Sequence, residues 1–274
     1  MNLSNEKIIH VKKENYEFLQ FKRLLRYPNI AHAYSVGIDK NFRTFSPSNS
    51  SLICEQYKKS LSNYESLCKL IDLNNVNIIK ARQNHTDNII NIEEIQNNDT
   101  IDTLNKVDGL ITNKSNIALA TTNADCILFM FYDPINNVIA NVHSGWKGTL
   151  QEISVKTIKK MNKIYKSKAK DIIVCICPSI RKCHFEVSKD VYKLFYNKFK
   201  ELNEVDNCIM KSDTEEKWFI DTVLINKIIL KQAGILEENI EDSGICSVCN
   251  KNLIHSYRAE GEGYGLATAI ISIK

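Results

Sequence analysis

His143 stands in the stretch NVHSGWKGTL, between an apolar run and two glycines, in a chain with only six histidines. An imidazole buried inside an apolar strand is costly, whereas one at a strand end beside glycines is reachable, so the placement points to a site. Two other residues sit at comparable junctions. His85 follows NVNIIKARQN and precedes Thr86, Asp87 and Asn88, and Cys126 follows TTNAD and opens the apolar run CILFMFY. Two imidazoles and a thiolate are suitable zinc ligands, and three protein ligands with an open fourth position define a catalytic zinc site. The spacings, 41 residues from His85 to Cys126 and 17 from Cys126 to His143, are too long to select this set alone. Unrelated core and surface residues remain the alternative at this level.

Two other cysteine and histidine patterns compete with it. His184-Phe185-Glu186 followed by Cys246-Ser247-Val248-Cys249 imitates the H-x-E…P-C-x-x-C signature of zinc deaminases, with Ile245 at the proline position and a long interval between the halves. Cys175, Cys177 and Cys183 beside His184 have the composition of a zinc knot. DIIVCIC, however, reads as a strand in which free cysteine is a small hydrophobe, and that reading is preferred.

The elements that must position these residues are mixed. Strand-like runs cover 31–37, 75–83, 116–122, 126–133, 137–142, 171–177 and 267–273. Helical periodicity covers 51–71, 190–199 and 221–233, the last stopping at Gly234. A further helix follows the His143 junction. Leu150, Ile153, Thr157, Ile158, Met161, Ile164 and Tyr165 share one face and the lysines mostly fall elsewhere. Its start, after Ser144 and Gly145, is a natural anion site. The interleaved order gives a mixed α and β class.

Composition narrows the function classes. With 274 residues, 43% hydrophobic and 25% charged, the chain can bury a substantial core, and no linker, repeat or composition break divides it, so one domain over 1–274 is expected. The charge, 36 basic minus 32 acidic residues or +4, is scattered and implies no nucleic acid. No apolar stretch approaches the roughly 20 residues of a membrane span. The charged N-terminus does not read as a signal peptide, and nine cysteines are then expected as reduced thiols in a cytoplasmic protein.

The segments VDGLITNKSNIALATTNADCILFMFYDP, NVIANVHSGWKG, CPSIRKCHFEVSKDV and CSVCNKNLIHSYRAEGEGYG together resemble the bacterial laccase-domain family. That family was once described as polyphenol oxidases and is regarded as zinc-dependent purine nucleoside phosphorylases with adenosine deaminase activity. The resemblance runs from about Asn75 to the C-terminus. It implies a single α/β/β/α layered domain with mixed sheets, and a zinc held by His85, Cys126 and His143. The substrates it implies are phosphate and purine nucleosides: adenosine, inosine or guanosine, and methylthioadenosine. It also places Ser256 and Arg258, in the SYR piece, near the active site.

On that reading Arg82, Lys147, Arg258 and the helix start after His143, with Ser144, are the available anion groups. Asp125 and Asp87 are candidates for proton traffic, beside turn or capping roles for each. An open zinc would also activate water for attack on C6 of adenine with loss of ammonia. The chain departs from the family where Tyr34-Ser35-Val36-Gly37 replaces S-T-R before a glycine pair. Asn63-Tyr64 replaces an asparagine-arginine pair, Thr86 replaces a glycine after the first histidine, and Gly265-Leu266 replaces a glycine-arginine pair. Lost arginines are expected to weaken phosphate binding relative to deamination. The competing readings are a non-catalytic metal-binding partner protein and a copper-dependent polyphenol oxidase. A multicopper oxidase needs many histidine ligands, commonly in H-x-H pairs; this chain has six histidines and no such pair, although adventitious copper would bind a Cys/His site strongly.

Overall fold

The computed structural model describes residues 2–44, 51–95 and 104–274. In chain order the strands are β1 (Ile8–Lys13), β2 (Tyr16–Phe21), β3 (Ile30–Val36), β4 (Asn77–Lys80), β5 (Ile89–Asn91), β6 (Gly109–Thr112), β7 (Ile117–Asn123), β8 (Ile127–Asp133), β9 (Val138–Ser144), β10 (Ile173–Ile176), β11 (Glu186–Ser188), β12 (Ile209–Lys211), β13 (Lys217–Ile220), β14 (Ile240–Asp242) and β15 (Ala267–Ile273). The helices are α1 (Ser51–Leu70), α2 (Trp146–Leu150), α3 (Ile153–Tyr165), α4 (Lys189–Phe199), α5 (Val205–Cys208), α6 (Thr222–Gln232) and α7 (Tyr257–Glu260).

Two six-stranded sheets, ordered β1-β2-β3-β15-β7-β4 and β14-β10-β8-β9-β6-β5, carry the architecture. Both are mixed, since β4 runs parallel to β7, β5 to β6 and β14 to β10 while their other neighbours are antiparallel. Successive side chains of a strand face opposite ways, and β8 shows why the apolar run at 126–133 is nearly continuous. Leu128, Met130 and Tyr132 pack with Tyr34, Leu119, Ala269 and Ile271 between the sheets. Ile127, Phe129 and Phe131 pack outward against Ile153, Ile158 and Met161 of α3 and Val223 and Leu230 of α6. On the far side, Tyr64, Leu67 and Cys68 of α1 cover Ala33, Ala118, Ala120 and Ile270 of the first sheet. The layers are α/β/β/α, as the resemblance implies.

A third sheet, β11-β13-β12, packs with α4 to α6 around Phe195, Phe199, Ile220 and Ile229. Its strands are three or four residues long, too short for alternation to show in the sequence. The helix after His143 is also different from its periodicity. Glu152, in the left-handed region at φ 57°, breaks it into the five-residue α2 and the longer α3, so few peptide dipoles align behind the junction.

His32 of β3 is fully buried; its Nε2 accepts the Phe21 N–H at 2.7 Å, and burial pushes its pKa down to about 3. Because the folded value lies below the ordinary 6.5, the contribution is complete above pH 6.5 and is lost as pH falls toward 3. Going from pH 7.5 to 5 should cost about 2 kcal/mol through this one group. In urea unfolding His32→Gln, which keeps an acceptor for Phe21, should lose that much less over the same interval. Equal losses in both proteins would remove His32 as the cause.

Candidate metal centre and active site

The three sites read from the sequence meet at one end of the paired sheets. Asn123 ends β7 in the first sheet and Ile127 begins β8 in the second, so Ala124, Asp125 and Cys126 form the crossover between the layers. Asn123 holds that turn by donating to the carbonyls of Cys126 at 2.6 Å and Pro178 at 3.0 Å. His143 lies within β9, one turn of the pleat beyond Asn141, which stitches the sheets through Thr121 and the carbonyls of Leu119 and Ala269. His85 sits in the loop after β4, in the left-handed region at φ 56°. Gln83 pins that loop through two 2.7 Å hydrogen bonds with the backbone of Thr122.

The ligand atoms of His85, Cys126 and His143 all lie within 4.8 Å of one another, and the two imidazoles meet edge to face at 5.0 Å. Gly145 makes this approach possible. A Cβ there would stand 2.4 Å from His85 Nδ1 and 3.2 Å from Cys126 Sγ, inside van der Waals contact. Gly145→Ala should therefore push His85 aside and weaken metal affinity about 10–100-fold, the range seen when a ligand's orientation is lost. Competition with a chromophoric chelator measures this, and unchanged affinity would show that the loop simply shifts.

Asp108 is one residue that sequence reasoning missed. It is fully buried at the start of β6 and accepts the backbone N–H of Asn84, His85 and Thr86, the Thr86 hydroxyl at 2.6 Å and His143 Nδ1 at 2.8 Å. One carboxylate thus shapes the His85 loop and orients His143, leaving Nε2 as the lone pair on offer, the support that metal-binding histidines require. Burial alone would raise the Asp108 carboxyl, but the hydrogen bonds from His143 and Thr86 outweigh it and bring it to about 2. Burial likewise disfavours charge on His143, yet Cys126 and Asp108 carry it up to about 9. The surroundings call for positive charge at this point. The available signal was a carboxylate between Val107 and the apolar Gly109–Thr112 strand.

The three candidate ligands border a cleft of about 1110 Å³. Arg82, Ser144, Asp125 and Arg258 line it; Lys147 and Ser256 are not among its lining residues. Ser256 caps α7, accepting from Ala259 N–H while its own N–H donates to Glu260 at 2.6 Å. Asp87 is ion-paired with Lys156 outside the cleft. Both Asp125 oxygens are engaged, one by Ser247 Oγ at 2.6 Å and one by Arg258 N–H at 2.7 Å, which makes it a brace between the crossover and α7. The Arg258 guanidinium donates to the carbonyls of His184 and Glu186.

Two cations that the sequence did not single out stand beside the altered positions. Lys80 lies with its Nζ 4.8 Å from the centre of the Tyr64 ring. Arg43 stacks over Tyr264 at 4.3 Å and donates to its carbonyl, next to Leu266. Both line the cleft. Burial lowers Lys80 to about 8, and among the described residues no acceptor reaches its Nζ.

Cys175 and Cys177 are core residues, as their strand pattern indicates. Cys183 is not: it is exposed and lies with His184, Cys246 and Cys249, all four ligand atoms within 4.8 Å. The strand ends at Ile176, so the hydrophobic reading of DIIVCIC does not extend to Cys183.

Residues 43–274 match the family described as "Multi-copper polyphenol oxidoreductase laccase". The chain belongs to that family. Among curated members of similar sequence, the purine nucleoside phosphorylase LACC1 of Homo sapiens is 32% identical over 171 residues, 61% of this chain but 38% of that protein. A purine nucleoside phosphorylase of Clostridium acetobutylicum is 30% identical over 262 residues, covering 94% of this chain and 96% of that one. The match thus spans well under half of the human relative. Among solved structures, Bacillus licheniformis hypothetical protein YfiH superposes with a TM-score of 0.80 at 22% identity, covering 97% of this chain and 99% of that one, which shows a shared fold.

Proposed function

We propose that this laccase-family chain, acting as one domain, is a zinc-dependent purine nucleoside phosphorylase that also deaminates adenosine. The observation that carries the reading is the convergence of His85, Cys126 and His143 on a cleft whose walls bring Lys80, Arg82, Arg43 and Arg258. The donor set fits a three-ligand zinc, and Gly145 and Asp108 hold it in shape. Zinc at this site supplies a Lewis acid with an open coordination position.

The chain's own groups account for the rest. Phosphorolysis breaks the bond between the ribose C1′ and the purine nitrogen and forms a bond from C1′ to a phosphate oxygen, with the purine leaving as the neutral base after protonation. Cations on several walls hold the phosphate against the sugar, and Lys80, buried without a counter-charge, gains most from an anion. Tyr57, Phe185 and Tyr264 offer apolar faces along the same cleft for the purine and ribose. Asp125, accepting from Ser247 on one oxygen and from the Arg258 N–H on the other, keeps Arg258 in place.

Copper would bind the same donors strongly, but oxidase chemistry would need further histidine ligands than six in the whole chain allow. A cytoplasmic setting accords with thiols that are free at every described cysteine side chain, Cys54 lying outside these; among the described residues no helix is long and apolar enough to cross a membrane. Chromatography of adenosine incubated with zinc-loaded protein tests the reading. Adenine and ribose 1-phosphate are expected only when phosphate is present, with inosine forming in both cases. Base release independent of phosphate would make the enzyme a hydrolase instead.

A further inference from the structure

We propose that Cys183, His184, Cys246 and Cys249 bind a second, structural zinc ion, separate from the one at the cleft. The geometry is that of a tetrahedral site. Cys183 Sγ lies 3.7 Å from Cys246 Sγ and 3.8 Å from Cys249 Sγ, and His184 Nδ1 lies 3.6 Å from the sulfurs of both Cys246 and Cys249 and 3.1 Å from that of Cys183. Ligands at the usual zinc–sulfur distance of about 2.3 Å on a tetrahedron stand about 3.8 Å apart. A disulfide would draw two of these sulfurs to about 2.05 Å.

The site is held by bonds that do not depend on the metal. Arg181 pairs with both oxygens of Asp242, at 2.7 and 3.0 Å, and donates to the Ile245 carbonyl at 3.2 Å, tying the loop before Cys183 to the chain before Cys246. Ser179 and Cys246 form a β-bridge, and Asn250 closes the Cys246–Cys249 turn by donating through both its backbone and its side chain to the Cys246 carbonyl. Four protein ligands leave no open position, the mark of a structural site. Glu186, which a deaminase-like reading of this motif would make the proton carrier, is occupied by Ser212 at 2.6 Å and Lys217 at 3.2 Å.

The site also explains how Arg258 is aimed. Its guanidinium hangs from the carbonyls of His184, a ligand, and Glu186, two residues on. Ser247, inside the Cys246–Cys249 turn, donates to the Asp125 that holds the Arg258 N–H and adjoins Cys126. A metal at the second site therefore fixes one wall of the cleft without touching substrate.

Elemental analysis of the full chain should find two zinc ions per molecule, with His143→Ala losing one and Cys249→Ser losing the other. After cobalt exchange, His143→Ala should keep the charge-transfer absorption of a three-thiolate site. Cys183 and Cys249 are exposed, so burial cannot protect them. In the wild-type protein both should resist alkylation until a chelator is added, a readout that does not depend on a variant folding. A single zinc that vanishes in His143→Ala, free alkylation of both thiols with metal bound, or a disulfide among these cysteines in freshly isolated protein would each overturn the proposal. None of these outcomes depends on nucleoside turnover, so this site and the proposed activity stand or fall separately.

Discussion

His143→Ala should empty the cleft site and cut nucleoside phosphorolysis by roughly 10³-fold, the equivalent of the several kcal/mol that a Lewis acid contributes. His143 is buried beside Asp108, so its loss removes a metal donor and also one of the hydrogen bonds that hold Asp108 charged at about pKa 2. The backbone donors from Asn84, His85 and Thr86 remain, which limits the cost to stability to roughly 1–3 kcal/mol. Asp108→Asn should be milder for metal, about 10–100-fold in affinity, because it disturbs orientation while all three ligands stay. Zinc content and initial rates measured on the same samples check the pair. A His143→Ala protein with full zinc at the cleft and unaltered rate would strike His143 from the ligand set.

Lys80→Met should raise the KM for phosphate about 10–100-fold, the loss expected when one charge-assisted contact of 1.5–3 kcal/mol is removed. Stability should hold or improve, since the substitution takes away a buried ammonium that no acceptor reaches. The sign of the pH effect follows from burial lowering Lys80 to about 8: the side chain is cationic below that value and neutral above it. Phosphate affinity of the wild-type protein should therefore weaken as pH rises through about 8, and this component should be missing in Lys80→Met. Identical pH profiles of the KM would show that Lys80 does not meet the phosphate.

The mixed α and β class was legible because the central strands are long and apolar on both faces, whereas the layering was given only by the family resemblance. β8 and β15 read directly from CILFMFYD and ATAIISI, and α1, α4 and α6 from apolar spacing. The β1–β2 hairpin and the β11–β13–β12 sheet were not, since lysine-rich or three-residue strands carry no clear alternation. Of the site, His85, Cys126 and His143 stood out as polar residues at strand ends, but only the family resemblance joined them into one candidate ligand set. Asp108 was hidden because its importance lies in five contacts from residues more than twenty positions away. Lys80 was hidden for a similar reason: only the packing of β4 against α1 puts its ammonium over Tyr64. The Cys183–Cys249 group was split between two patterns and set aside, because its halves are more than 60 residues apart and a strand pattern nearby offered a simpler account of the thiols.

The central claim is that the cleft uses zinc to move ribose from a purine to phosphate. Inosine and phosphate incubated with zinc-loaded protein, with the same protein stripped by chelator, and with the stripped protein given zinc again, test it most directly. Hypoxanthine and ribose 1-phosphate should form in equal amounts in the first and third samples and be lost in the second. Absence of any nucleoside turnover in the zinc-loaded sample would contradict the account and leave a metal-binding partner protein in its place.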